Sequence, residues 1–121
     1  MIVVDSSVWI DHLRVRNERL VARLEGAEVL GHPWILGELA LGNLTSRAEF
    51  LAAMSRLPQA TLASAEEILT AIDSLGLSGL GLGYVDVQLL ASTRLTSGAR
   101  LWTRDRRLRA TAENLAIAFD G

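Results

Sequence analysis

The sequence predicts an α/β domain of three layers, in which a central, mostly parallel sheet is flanked by helices. Short apolar runs rich in β-branched residues alternate with longer segments of helical periodicity. The connections between these segments are short, as they are in βαβ units. A chain of 121 residues can bury one core but not two, so we expect residues 1–121 to form a single domain.

The predicted strands are short. Residues 1–4 form a β-branched apolar run, which is typical of a buried parallel strand. Further strands are predicted at residues 28–30, 61–63, 101–103 and 115–119.

The predicted helices lie between these strands. Ser6 or Ser7 can cap a first helix, and the apolar spacing continues through residues 20–24. Proline is tolerated in a first helical turn, so Pro33 opens a helix that we expect to reach residue 44. Other helices are predicted at residues 46–56, 64–75, 84–95 and 106–113, and the glycine-rich residues 76–83 are predicted as a loop.

The composition excludes several kinds of chemistry. The chain has no cysteine, which rules out disulfides, zinc–thiolate sites and cysteine nucleophiles. All twelve basic residues are arginine, so no mechanism can use a lysine. The first residues show neither a secretory signal nor a membrane-spanning run, and we therefore expect a cytoplasmic protein with no membrane partner.

Four acids stand out because they follow or interrupt apolar segments. Glu38 is the only charged residue between Glu28 and Arg47, and Asp86 is the only one between Asp73 and Arg94. Asp5 ends the first predicted strand, and Asp105 follows the strand at residues 101–103.

A shared cation explains these acids together. A buried carboxylate costs several kcal/mol unless an arginine, backbone amides or a metal ion compensates it. Ligands of open α/β sheets bind beyond the carboxyl ends of the strands, where Asp5 and Asp105 are predicted. A site with oxygen ligands alone suits Mg²⁺ or Mn²⁺.

Each acid also has a structural explanation of its own. Asp5 can cap the following helix, and Asp86 can interact favourably with the dipole of its helix. Asp105 can belong to a charged turn, and Glu38 can form an internal salt bridge.

Four segments resemble the motifs of VapC-type toxins, which are PIN-domain ribonucleases. The matching segments occur in the family's order and are residues 3–10 (VVDSSVWI), 38–42 (ELALG), 83–91 (GYVDVQLLA) and 101–108 (LWTRDRRL). In the first, a strand-end acid is followed by a serine, and the last contains a Thr-x-Asp core. Small residues often follow the third acid in the family, whereas this chain has Val87 and Gln88.

The resemblance implies a PIN-like domain with about five strands, and an endoribonuclease that depends on Mg²⁺ or Mn²⁺. It implies that Asp5, Glu38, Asp86 and Asp105 bind the metal and are catalytic, with Ser6 and Thr103 as supporting hydroxyls. It also implies a VapB-type antitoxin that blocks the site, and a homodimer. The RNA substrate can be transfer, ribosomal or messenger RNA.

Other side chains receive different predictions. Arg100, Arg104, Arg106 and Arg107 are the candidates for RNA binding, although with Arg109 they can equally form a solvated helix face balanced by Glu113.

Three tryptophans (Trp9, Trp34 and Trp102) are predicted in the core. His12 and His32 are predicted as surface or capping residues, so metal-activated water is the expected nucleophile.

Competing classes fit less well. Receiver domains and haloacid-dehalogenase-like phosphatases need a lysine, and a dinucleotide-binding module needs a glycine-rich turn after the first strand. The alternative that stays open is a PIN fold kept as a catalytically silent module that binds RNA or protein.

Overall fold

The fold is built on a short parallel sheet, here described from a computed structural model that covers residues 1–121. The strands are β1 (Ile2–Val4), β2 (Val29–Leu30) and β3 (Arg100–Trp102), in the order β2-β1-β3. Val3 of β1 pairs with Leu30 on one side and with Leu101 on the other. Because all three strands are parallel, their carboxyl ends lie at one edge, where Asp5 and Thr103 follow β1 and β3.

Seven helices surround the sheet. They are α1 (Ser6–Arg14), α2 (Glu18–Glu25), α3 (Pro33–Ala40), α4 (Arg47–Ser55), α5 (Ala65–Ser74), α6 (Tyr84–Leu95) and α7 (Arg106–Asn114). None of them is both long enough and apolar enough to cross a bilayer. The α3 helix is shorter than predicted, since its cap at Leu41 is followed by a loop instead of a further turn.

The predicted number of strands was wrong: the sheet has three strands rather than about five. Single parallel bridges, Gly31 with Gln59 and Leu101 with Ala118, extend its two edges. The predicted strand at residues 61–63 does not form, because Thr61 N donates to the Thr96 side chain and the chain then enters the cap of α5. Residues 115–119 make only two backbone bonds to Leu101 after a left-handed turn at Ala116.

The core lies on both faces of β1, whose three residues are all buried. The central helix is α6, which is buried continuously from Val87 to Thr93. Trp9 and Trp102 are core residues, as predicted. The prediction for Trp34 was wrong, because 39% of this residue is exposed.

Candidate active site

Asp5 is the buried centre of the candidate site, with 7% of its surface exposed. Its backbone N–H continues the β1–β3 pairing by donating to Trp102 O at 2.9 Å. Its Oδ2 accepts two hydrogen bonds, from Ser7 Oγ at 2.7 Å and from Thr103 Oγ1 at 2.8 Å. Two donors on one oxygen hold the carboxylate in a fixed orientation.

The same hydroxyls join the ends of two strands to the helices that follow them. Ser7 Oγ accepts from Arg104 N at 3.1 Å, and Thr103 Oγ1 accepts from Asp105 N at 3.1 Å. The segment that carries Asp105 is therefore positioned by the residues that hold Asp5.

Ser7 is a supporting residue that the sequence analysis missed, since the resemblance pointed to Ser6 instead. Ser6 Oγ donates to Glu38 Oε1 at 3.1 Å, so it supports a different acid. The signal that could have identified Ser7 is a hydroxyl in the first helical turn, two residues after an acid, where it can reach back to that acid.

Glu38 lies on α3 and is exposed. Its apolar neighbours in the sequence suggested a buried carboxylate, but an exposed residue does not incur the full free-energy cost of burial. The pKa of Glu38 is nevertheless raised. The largest cause is partial desolvation of the carboxyl, which the Ser6 hydrogen bond opposes, and the charges of Asp5 and Asp86 raise it further.

Asp86 is half-buried in the first turn of α6. Its Oδ2 accepts from Gly83 N at 2.9 Å, which closes the start of the helix. Partial burial raises the pKa of Asp86, the Gly83 bond lowers it, and the charges of Asp105 and Asp5 raise it. Asp86 therefore does lie at the N-terminus of its helix, where the helix dipole favours a carboxylate, as one of its two explanations predicted. The like-charge effects show in addition that Asp86 lies near other acids.

Asp105 is exposed and caps α7, where its Oδ1 accepts from Leu108 N at 2.9 Å. Its other oxygen takes no hydrogen bond or salt bridge from the protein.

The four acids share one arrangement: each uses one carboxylate oxygen in a hydrogen bond to the protein and keeps the other free of such bonds. The bonded atoms are Asp5 Oδ2, Glu38 Oε1, Asp86 Oδ2 and Asp105 Oδ1. No buried side-chain oxygen or nitrogen lacks a partner, so the free Asp5 Oδ1 is reached by solvent.

The acids are close enough to repel one another but do not form a closed metal site. No three acidic or histidine side chains converge tightly enough to hold an ion by themselves. Mg²⁺ keeps several waters and is bound through one or two carboxylates together with substrate phosphates, so an open set of carboxylate oxygens fits it. Oxygen ligands without cysteine also fit Mn²⁺.

The candidate RNA-binding arginines differ in their surroundings. Arg104 pairs with Asp11 at 2.8 Å, whereas Arg106 and Arg107 pair with no acid. The Arg107 side chain lies against the backbone of Gly81, in the loop that leads to Asp86. Arg100 begins β3, at the end of the strand away from Thr103, and donates to Ala116 O at 3.0 Å. It therefore lies away from the acids.

Neither histidine lies among the four acids. His12 Nδ1 accepts from Asn17 N at 2.9 Å, and His32 Nδ1 caps α3 by accepting from Trp34 N at 3.1 Å. The capping prediction for His32 is thus confirmed, although the residue is buried rather than at the surface.

Known proteins resemble this chain over nearly its whole length. The PIN domain family matches residues 2–114. Ribonuclease VapC32 of Mycobacterium tuberculosis (strain CDC 1551 / Oshkosh) is 44% identical over 119 residues, which are 98% of this chain and 96% of that protein. The VapC32 of strain ATCC 25618 / H37Rv gives the same values.

A shorter similarity points elsewhere. Hydroxyethylthiazole kinase of Yersinia enterocolitica is 33% identical over 79 residues, which are 64% of this chain but only 30% of that protein. A partial match of this kind carries no argument about function.

The acids lie beyond the carboxyl ends of the parallel strands. The site therefore belongs to the class of α/β proteins that bind their ligands at this edge of the sheet. The chain is a member of the PIN domain family, and within that family it is of the VapC type.

Proposed function

We propose that this protein is an endoribonuclease that depends on Mg²⁺ or Mn²⁺, and that it is the toxin of a type II toxin–antitoxin system. The observation that carries the proposal is the shared arrangement of the four acids, each with one oxygen fixed by the protein and one free. Family membership and the ribonuclease name of the VapC32 relatives support the same conclusion.

In this proposal the free oxygens of Asp5, Glu38, Asp86 and Asp105 would bind one or two divalent ions together with water and the phosphate oxygens of the substrate, since the acids do not form a closed site by themselves. A bound divalent ion supplies Lewis-acid polarisation of a phosphate and an activated water. Hydrogen bonds within the chain orient the acids for metal binding. Ser7 and Thr103 bind Asp5, Ser6 binds Glu38, and the Gly83 amide binds Asp86. Because these bonds exist before substrate arrives, little reorganisation is needed during the reaction.

The substrate's phosphates need positive charge beside the acids. Arg106 and Arg107 make no ion pair within the protein, so both are available for phosphate. Arg104 pairs only with Asp11, and surface pairs of this kind contribute little, so phosphate can replace this partner. The guanidinium group matches phosphate oxygens through its planar set of donors. Arg100 has no part in this proposal because of its position.

The groove beside Glu38 can take a protein partner. Its volume is about 360 Å³, and its apolar lining includes Ile10, Leu13 and Leu44. A VapB-type antitoxin seated in this groove would cover Glu38 and exclude RNA. We also propose that the active form is a homodimer and that it acts on cellular RNA in the cytoplasm.

The proposal is tested by incubating purified total RNA with the antitoxin-free protein, with Mg²⁺ or Mn²⁺ and with or without EDTA. The wild type is compared with Asp5→Asn, and with Asp73→Asn as a matched control, since Asp73 is an exposed acid on α5. We expect cuts within RNA chains that EDTA and Asp5→Asn abolish and that Asp73→Asn retains.

Two outcomes would contradict the proposal. Cleavage that survives EDTA or Asp5→Asn would remove the acids from the mechanism. A folded wild type that binds RNA but cuts none of the three RNA classes would instead favour a catalytically silent binding module.

A further inference from the structure

A cavity lined by arginines lies between α1, α2 and α7, and its volume is about 300 Å³. The guanidinium groups belong to Arg19 at the start of α2, to Arg104 just before α7, and to Arg109 on α7. No aspartate or glutamate lines the cavity, so none of the four acids of the candidate active site belongs to it. The cavity therefore concentrates positive charge in a protein whose net charge is −2.

Two of the lining residues, Arg19 and Asn17, keep donors that the chain does not use. Asn17 caps α2 by accepting from Leu20 N at 3.1 Å through its Oδ1, and its Nδ2 makes no hydrogen bond within the chain. Arg19 makes one hydrogen bond, of 2.7 Å, to the backbone carbonyl of Asp120. A guanidinium has five N–H donors, so most of those on Arg19 are free for a ligand.

The other two arginines are paired only at the surface. Arg104 Nε lies 2.8 Å from Asp11 Oδ2, and Arg109 Nε lies 3.1 Å from Glu113 Oε1. Both pairs are partly exposed, and pairs of this kind contribute little to stability. In each of them the two terminal nitrogens of the guanidinium make no hydrogen bond within the chain. Both arginines can therefore bind a further anion.

The chain itself places an anionic residue beside two of these arginines. The carboxylate of Asp120 lies 3.7 Å from Arg109 Nη2, and the backbone carbonyl of the same residue accepts from Arg19. The distance of 3.7 Å is too long for a hydrogen bond, and the Asp120 side chain is fully exposed. Asp120 thus shows that an oxygen anion is attracted to this position, and that it holds the position only weakly.

The arrangement of the donors favours phosphate over a carboxylate. Guanidinium groups bind both anions through parallel N–H···O bonds. The donors of this cavity come from separate segments, namely the start of α2, the residue before α7 and α7 itself. A phosphate group offers acceptor oxygens in several directions, whereas a planar carboxylate offers only two oxygens in one plane.

We propose that this cavity is a phosphate-binding site, in which Arg19, Arg104 and Arg109 bind the phosphate oxygens and Asn17 adds a neutral donor. The phosphate is carried either by a small phosphorylated molecule or by an RNA chain. The site is separate from the four acids, and the inference does not depend on the proposed ribonuclease function.

The test measures phosphate binding by isothermal titration calorimetry, with EDTA present so that no metal at the acids can bind phosphate. The antitoxin-free protein is titrated with inorganic phosphate at constant ionic strength, and we expect saturable binding by the wild type. Arg19→Gln and Arg109→Gln should each weaken this binding by about tenfold, because each variant loses one charged group of donors.

A third variant should change the affinity in the opposite direction, which a folding defect cannot imitate. Asp120→Asn removes the carboxylate beside Arg109 and should therefore bind phosphate more tightly than the wild type. Arg94→Gln is the matched control, because Arg94 is exposed on α6, forms no salt bridge and does not line the cavity. It should bind phosphate as the wild type does. Thermal unfolding verifies that each variant is folded.

A second titration, also in EDTA, identifies the source of the phosphate. Its probe is a short single-stranded oligoribonucleotide. If the site takes a phosphate of RNA, Arg19→Gln weakens oligoribonucleotide binding, and inorganic phosphate competes with it. If the site takes only small phosphorylated molecules, the oligoribonucleotide binds equally to the wild type and to Arg19→Gln, although the variant binds inorganic phosphate more weakly.

Three results would overturn the inference. They are the absence of saturable phosphate binding by the wild type, an affinity that Arg19→Gln and Arg109→Gln leave unchanged, and an equal loss of affinity in Arg94→Gln, which would show only a general effect of charge. No metal is present and no RNA needs to be cut in these titrations. A failure of this inference therefore leaves the proposed ribonuclease untouched, and the reverse also holds.

Discussion

Thr103 Oγ1 donates a hydrogen bond of 2.8 Å to Asp5 Oδ2, although the two residues lie at opposite ends of the chain. The bond joins the carboxyl ends of β1 and β3. Thr103 Oγ1 also accepts from Asp105 N, so one hydroxyl connects two of the four acids.

Thr103→Val keeps the side-chain shape but removes this hydroxyl. We expect the free energy of unfolding to fall by about 1–3 kcal/mol, because a nearly buried carboxylate loses one of its donors. Denaturant unfolding measures the change, and RNA cleavage should fall with it because Asp5 is no longer fixed. Thr103→Ser restores the hydroxyl and should recover both properties. An unchanged free energy of unfolding in Thr103→Val would contradict this prediction and show that the hydrogen bond from Ser7 is enough to hold Asp5.

Gly81 and Gly79 form a matched pair for testing Arg107. Both have positive φ, of 76° and 78°, but only Gly81 contacts Arg107, and nothing lies within 4 Å of a Cβ at Gly79. Alanine at either position should lower stability by about 1 kcal/mol through backbone strain. Gly81→Ala should in addition displace the Arg107 side chain and weaken RNA binding in a direct titration. Equal RNA affinity of the two variants would contradict a role for Arg107.

His32 is the buried start of a polar chain between α3 and α6. Its Nδ1 accepts from Trp34 N, which leaves Nε2–H to donate to Ser92 Oγ at 3.0 Å. Ser92 donates to Gln88 Oε1 at 3.0 Å, and Gln88 Nε2 donates to Ala63 O at 3.2 Å. Burial lowers the pKa of His32 from 6.5 to about 4, so the fold requires the neutral ring.

The pH dependence of stability follows from this shift. Above pH 6.5 the His32 ring is neutral in both the folded and the unfolded chain, so it does not change the free energy of unfolding. Because the pKa of His32 is lower in the folded state, the unfolded chain takes up the proton first, and stability is lost as the pH falls from 6.5 towards 4. The loss amounts to about 3 kcal/mol, since each pKa unit corresponds to about 1.4 kcal/mol. His32→Asn keeps a capping side chain without titrating, so its stability should fall less over the same range. Urea unfolding of both proteins at several pH values measures the difference, and parallel curves would refute the assignment.

Much of the acidic cluster could be predicted from sequence because each acid has a local signal. An acid directly after an apolar run predicts its place at the end of a parallel strand, and this is where Asp5 lies. Glu38 and Asp86 could be singled out because their neighbours carry no charge. Their mutual proximity depends on how α3 and α6 pack, which no local pattern encodes.

The errors have physical causes. Apolar residues at positions 34 to 36 do not reveal which of them faces the core: successive residues on a helix point about 100° apart, and the structure buries Ile35 while it exposes Trp34. The segment at residues 61–63 has strand-like composition, but the Thr96 hydroxyl takes the amide of Thr61. Ser6 and Ser7 are adjacent in sequence, and only the fold decides that Ser7 reaches Asp5 while Ser6 reaches Glu38.

The most direct test of the central claim, that the four acids form one cation site, is a titration of the antitoxin-free protein with Mn²⁺ followed by electron paramagnetic resonance. The wild type and the control Asp73→Asn should both remove free Mn²⁺ from solution in the concentration range that supports RNA cleavage. Glu38→Gln should bind it more weakly, because it loses a carboxylate beside Asp5 and Asp86. Equal Mn²⁺ binding by all three proteins, or no binding by the wild type in that range, would contradict a metal site at these acids.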